Sequence, residues 1–177
     1  MLRFRPAQGI DAAALAPRLR QADADEIQAA VGLDPERVLT VGIRSSDPCW
    51  AVTVGDDKII ALFGVEPEPA SARRGVVWML GSDELAIHSI AVLRLSRHWL
   101  DRLHERYDCL WNYIDQRNER HIEWLRWCGF DFLELIEHHG FEQRPFWRFE
   151  RRSFHRRPFA CGASSFESSS LNTGLFG

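Results

Sequence analysis

A mixed central α/β sheet flanked by helices and followed by a C-terminal extension is the architecture this sequence predicts. Three observations carry the prediction. β-rich apolar runs and helix-period stretches follow one another as strand, helices, hairpin, strand, helix, strand, helix, strand, strand, an order that a mixed sheet with helices on its faces accommodates most simply. Residues 107–130, YDCLWNYIDQRNERHIEWLRWCGF, compress a buried strand, a polar turn, an amphipathic helix and a Gly stop into one short unit. After Arg157-Pro158 the mixture of charged and apolar residues gives way to Ser and Gly, which places the domain at residues 1–152 and the extension at residues 153–177.

In chain order, Leu2 to Arg5 alternates apolar and basic residues before Pro6 and reads as a first strand. Asp11 is a plausible N-cap for a helix through Ala14, Leu15 and Leu19. Asp23 to Val31 forms a second helix, and Pro35 fits the first turn of a third that runs toward Arg44. The runs 50–54 and 59–65 flank Gly55-Asp56-Asp57-Lys58, a hairpin signal. Pro67, Pro69 and Ser71 mark a loop, and Val76 to Leu80 is the next strand. Between Asp83 and Arg106 apolar residues step by three and four, giving one helix or two broken near Ser96. Cys109 to Ile114 is a buried strand. Asp115 and Asn118 cap the helix carrying Ile122, Leu125 and Cys128, and Gly129 supplies its left-handed stop. Phe130 to Ile136 and Phe146 to Arg151 complete the sheet, with His138-His139-Gly140 read as the turn between them.

The chain of 177 residues, 45% hydrophobic and 27% charged, is long enough to bury a core without covalent staples. A net charge of −3 argues against a protein that coats nucleic acid over its whole surface. Cys49, Cys109, Cys128 and Cys161 show no C-x-x-C pair, so reduced thiols in a reducing compartment are expected. No segment has the length of apolar residues that a bilayer span or a secretory leader requires. A soluble, cytosolic chain is the expectation. None of the seven His residues has metal-site spacing, so no metal is expected.

Asn118, His121, Leu125 and Gly129-Phe130 stand at intervals that resemble the C-terminal motif of the GNAT acyltransferases: Asn, a small residue three later, Tyr four after that, then Gly-Phe. The runs VWMLGSDEL, LSRHWLDRLHERYDCLWNYIDQRN and WLRWCGF also resemble a phage protein family of GNAT-like fold that includes the internal virion protein A of short-tailed phages. That resemblance spans about residues 2–151. It implies a GNAT-like sheet, and a virion or assembly component of the internal head or the portal and tail region. Its partners would be other virion proteins in a ring or oligomer, its locations the host cytoplasm during assembly and then the virion.

The GNAT resemblance also implies acetyl-CoA, whose pyrophosphate such enzymes hold on R/Q-x-x-G-x-G/A at a helix start. Counted back from Asn118, the matching stretch is Arg94-Leu-Ser-Arg97-His-Trp99. Arg97 replaces the first Gly, and the Trp99 indole would fill the space that backbone and phosphate share. The family's acidic Tyr falls at Leu125, which has no proton to give; Tyr107 and Tyr113 lie on or beside the strand. The expectation is therefore a degenerate acyltransferase fold with no cofactor and no catalytic residues. An active N-acyltransferase is the alternative. It would use Glu84 or His88 as base, and Arg94, Arg97 and Asn118 to hold acetyl-CoA. Glu84 also reads as a carboxylate at a helix N-terminus, and His88 as a helix-face residue. The Trp residues 99, 111, 124 and 127 read as core or interface.

RPFWRFERRSFHRR, residues 144–157, interleaves Arg with aromatics. The pattern suits an acidic protein surface, a nucleic acid, or a strand whose solvent face is basic. Arg144, Arg148, Arg151 and Arg152 are the candidate contacts. Phe159, Phe166, Leu171, Leu175 and Phe176 in the extension would join them if it is a docking arm rather than a flexible terminus. A nucleic-acid-binding accessory protein is the third reading.

Overall fold

The computed structural model describes residues 2–153; the expectations for Phe159, Phe166, Leu171, Leu175, Phe176 and the rest of the extension lie outside them. Seven strands form one sheet: β1 (Leu2–Pro6), β2 (Cys49–Val54), β3 (Lys58–Glu68), β4 (Ser71–Gly81), β5 (Cys109–Asp115), β6 (Asp131–His139) and β7 (Arg144–Arg152). Their order across the sheet is β1-β2-β3-β4-β5-β7-β6. All neighbours are antiparallel except β4 and β5, which run parallel. The mixed sheet expected from the sequence is thus present.

Helices α1 (Gly9–Leu15), α2 (Gln21–Val31) and α3 (Pro35–Ser45) fill the connection from β1 to β2. Asp34 caps α3, accepting the N–H groups of Glu36 and Arg37. Asp11 differs from expectation. It lies in the first turn of α1, where its carboxylate accepts the Gln8 N–H at 2.7 Å and takes the Arg5 guanidinium at 2.8 Å. Ala12, Leu15, Ile27, Val38 and Leu39 pack on Ala51, Leu62, Trp78 and Leu80 on one face of the sheet. The hairpin between β2 and β3 turns through Gly55 and Asp57, both at positive φ.

After β4 comes a single turn, α4 (Glu84–Ile87), and then the long α5 (Ser89–His104). The helical stretch breaks at His88, not near Ser96. Ser96 stays in the helix by donating its hydroxyl to the Val92 carbonyl at 2.6 Å. α5 lies on the opposite face, where Trp99 stacks on Phe4, Trp50 and Phe63 with centroids 4.8–5.4 Å apart. Helix α6 (Glu119–Trp127) buries Ile122 and Leu125 against Leu100, Leu103, Leu110 and Phe149. It stops at Gly129 (φ 84°) as the sequence implies. The turn between β6 and β7 falls at residues 140–143, so His138 and His139 belong to the strand.

Candidate active site in the parting of the central strands

The parallel pair is short. β4 and β5 are bonded only at Arg74–Cys109, Gly75–Leu110 and Val76–Trp111, and past that point the strands part. The Asn112 side chain marks the fork, its Nδ2 donating to the Val77 carbonyl at 2.9 Å. Peptide groups in a strand alternate sides. The Val77 carbonyl points away from β3, and so do the Gly81 N–H, which donates to Asp23, and the Gly81 carbonyl, which accepts from Arg20 N–H. Met79, midway between them, therefore turns its own N–H and C=O into the gap. A segment with amide groups laid beside β4 would find them there.

Helix α2 bridges the open end. At one strand tip Asp23, clamped by Arg20 at 2.7 Å, accepts the buried Gly81 N–H at 2.8 Å. At the other tip Glu26 accepts from Asn118 Nδ2 at 2.9 Å. The last carbonyls of α2, on Ala29 and Ala30, accept the N–H groups of Glu142 and Phe141 in the β6–β7 turn, both at 3.0 Å. The space so framed has a volume of about 110 Å³ and reaches from Glu26, His121 and Trp124 to the underside of α5.

Ser96, Asn112 and Tyr113 interrupt this largely apolar wall, and so do three groups at its α2 end. Glu26 is half-buried and lines the cleft. Desolvation pushes its carboxyl up to about 8, opposed by the Asn118 bond and reinforced by the charges of Asp23 and Asp115. Burial drives the His121 imidazole down to about 3, so it is neutral. His121 Nδ1 and Trp124 Nε1 are buried with no hydrogen-bond partner among the described residues, and buried polar groups without partners are rare unless something else meets them.

The residues singled out from the sequence are dispersed. Glu84 pairs with Lys58 at 2.7 Å and Arg18 at 3.4 Å, and its carboxyl is held below the ordinary carboxylate range, chiefly by the Lys58 hydrogen bond. That is the opposite of a poised base. His88 ends α4 outside the cleft wall. Arg94 is exposed on the second turn of α5. Arg97 donates to the Trp127 carbonyl at 3.1 Å and lies 4.3 Å from the Trp127 ring centroid. Asn118 does reach the site, through Glu26. Leu125 is buried in the core, and Tyr107 donates its hydroxyl to the Asp47 carbonyl. On β7, Arg144 pairs with Glu142, Arg151 with Asp101, and Arg152 with Glu150. Arg148 lies 3.7 Å from Glu150 and 5.8 Å from the Trp111 ring centroid. The aromatics between them, Phe146 and Phe149, point into the core. The strand is thus laced to carboxylates of the same domain, as a solvent-facing basic strand would be.

Glu26 was not among the sequence candidates. Its signal was a carboxylate at i+3 from Asp23 and next to Ile27, on the buried stripe of an amphipathic helix, where a charge needs a reason.

No family model and no curated protein matches the sequence. Solved structures do match the fold. Ard1 from Thermoplasma volcanium superposes with a TM-score of 0.69 at 13% identity, over 87% of this chain and 99% of its own. The ribosomal-protein-S18-alanine N-acetyltransferase from Escherichia coli gives 0.63 at 12% identity, over 90% and 100%. The spermidine N-acetyltransferase from Vibrio cholerae, in complex with CoA and spermine, gives 0.58 at 14% identity, over 85% and 95%. The fold is the mixed α/β fold of the GNAT acetyltransferases.

These findings correct two expectations. The virion scaffold was read from the phage-family resemblance, the C-terminal extension and a missing phosphate loop, and the absence of a cofactor from that loop's being plugged by Trp99 at residues 94–99. That stretch lies inside α5, and Trp99 stands ten residues beyond the helix start at Ser89, stacked on β1–β3. The turn that follows β4 begins at Gly81 instead, and the cleft beside it is open. Two of the matching structures named above are N-acetyltransferases, one of them in complex with CoA, rather than phage structural proteins. Neither the scaffold nor the cofactor-free reading stands.

Proposed function

We propose that this chain is an N-acyltransferase that uses acetyl-CoA or a related acyl-CoA and takes a proton from an amine acceptor with Glu26. The observation that carries the reading is the parting of β4 and β5 beyond Val76 and Trp111, with a raised carboxyl at its end.

The residues present fit the thioester. Its pantetheine arm is a thin chain with two amides, and the gap offers Met79 peptide groups, Trp124 Nε1 and His121 Nδ1 within an apolar wall. The arm would run toward α5. There the ladder begins with the Val92 N–H to the His88 carbonyl, so the N–H groups of Ser89, Ile90 and Ala91 precede it. No Gly follows Gly81 in this turn, so phosphate would meet a bare helix start, with Arg94 one turn further on.

When bound, the thioester supplies an activated acyl carbon for transfer to nitrogen. Glu26 supplies the base. At neutral pH its carboxyl is largely protonated, and a cationic amine brought beside it favours the carboxylate that removes the amine's proton. Asn118 orients that carboxyl through its Nδ2 donor. Asp23 and Arg20 hold the β4 tip in place. With Leu125 in the tyrosine position and the Tyr107 hydroxyl committed to Asp47, neither residue can protonate the leaving thiolate; Tyr113 lines the cleft.

Calorimetric titration with acetyl-CoA tests the reading, joined to a mass assay of a primary amine incubated with protein and acetyl-CoA. Micromolar binding and an acetylated amine are expected. No heat and no product would overturn it.

A further inference from the structure

The face of the sheet that carries α1–α3 is covered unevenly. Those helices pack on Ala51, Leu62, Trp78 and Leu80 of β2–β4. Val76 pairs with Trp111 across the parallel step, so Trp111 and, two residues on, Tyr113 stand on the same side as Trp78. Arg148 of β7 is directly opposite Tyr113 and shares that side. All three keep part of their surface. A partly open floor therefore runs over β5 and β7, and it meets the cleft at Tyr113. Its charges are unequally matched. Arg74 takes Glu68 at 2.6 Å and Arg152 takes Glu150 at 2.7 Å. Arg148 lies 3.7 Å from Glu150, beyond hydrogen-bond range, and 5.8 Å from the Trp111 ring centroid; it makes no hydrogen bond among the described residues. Glu134, opposite it on β6, forms no ion pair with it.

We infer that Arg148 selects the acceptor, and that the acceptor is a small amine that also bears a carboxylate, as amino acids do. The inference rests on the acyltransferase reading and adds the acceptor class. The Arg148 side chain is 31% exposed, so its guanidinium has lost much of its water without gaining a protein acceptor. Its N–H groups form a planar fork that matches the two oxygens of a carboxylate. The base is close by. Glu26 lies by Asp115, whose N–H acts on its carboxyl, and Asp115 and Tyr113 are two residues apart on β5, about 7 Å. One small molecule spans that distance on the α2 side of the sheet, its amine at Glu26 and its carboxylate in the Arg148 fork, above the Tyr113 and Trp111 rings.

The test gives the full chain acetyl-CoA and pairs of amines in which a carboxylate replaces a methyl group: glycine against ethylamine, β-alanine against propylamine, 4-aminobutanoate against butylamine. In at least one pair kcat/KM should favour the carboxylate by about tenfold to a hundredfold, as a charge-assisted hydrogen bond provides. Arg148→Gln should bring that pair to equal kcat/KM, mainly through KM. Arg148→Lys keeps the cation and should retain part of the preference. Calorimetric binding of the preferred amino acid in the presence of CoA, without turnover, should weaken by the same factor in Arg148→Gln. Acylation indifferent to the carboxylate, or a preference that survives Arg148→Gln, would overturn the assignment and leave the acyltransferase standing. Acylation of no amine would overturn both.

Discussion

Replacing Glu26 by Gln separates a poised base from an ordinary buried carboxyl. The amide keeps the shape and the acceptor for Asn118 Nδ2 but cannot ionise. In the folded chain the carboxyl titrates near 8, against about 4.5 unfolded. A raised carboxyl contributes stability that is fully present below about pH 4.5 and is lost as the pH rises through 8, because the native state then holds a proton that the unfolded chain has released. At about 1.4 kcal/mol for each pH unit between those values, the ceiling is about 5 kcal/mol. The cleft admits some solvent, and screening reduces the expected difference to about 2–4 kcal/mol. Urea unfolding of both proteins from pH 5 to pH 9 measures it. The curves should coincide at pH 5, and Glu26→Gln should be the more stable by that amount at pH 9. With an amine acceptor the same variant should lose about 10²- to 10⁴-fold in kcat, while the wild-type rate climbs with pH toward 8. Parallel stability curves across the range would refute the raised carboxyl; an unchanged rate and pH profile would refute its role as base.

Four further outcomes follow from the same geometry. Asp23→Ala leaves Arg20 partly buried without its carboxylate and the Gly81 N–H without its acceptor; chemical denaturation should show a loss of about 3–5 kcal/mol. Asn118→Ala removes a bond that holds the Glu26 carboxyl down, so the midpoint of the pH–rate profile should move above that of the wild type. Gly140→Ala should cost about 1–3 kcal/mol by thermal unfolding, since Gly140 has φ 68° and a Cβ there would lie 2.6 Å from the Ala29 carbonyl oxygen. His121 titrates near 3 rather than 6.5, so it favours unfolding as the pH falls from 6.5 toward 3. His121→Leu should blunt the acid loss of stability by up to about 4 kcal/mol at pH 3.

The sheet and the α6 unit were legible because they are local. A cap, a helical stripe and Gly129 lie within one stretch, and each residue type has a strong positional meaning. The stretch matched to the family's phosphate turn falls inside α5 because its spacing is counted backward through a helix of unknown start. Gly81 lies too early for that count, although the strand ends on it and the next helical turn begins at Glu84. Glu26 was missed for a different reason. Its partner Asn118 lies 92 positions away, and no periodicity announces a bond between a helix in the first connection and the loop after the fifth strand. The basic strand stayed ambiguous from composition. Phe146 and Phe149 lie on opposite faces of the strand and are both buried, and the neighbouring guanidiniums find carboxylates of the same domain, which a linear count of charges cannot reveal.

Helix α2 is fastened at three places: to the tip of β4, to the loop after β5 and to the β6–β7 turn. A bar anchored in this way leaves no jaw to swing. The passage stands ready before any occupant arrives. Association should then proceed in a single kinetic phase at a rate set by encounter, with selectivity residing in how fast each occupant escapes.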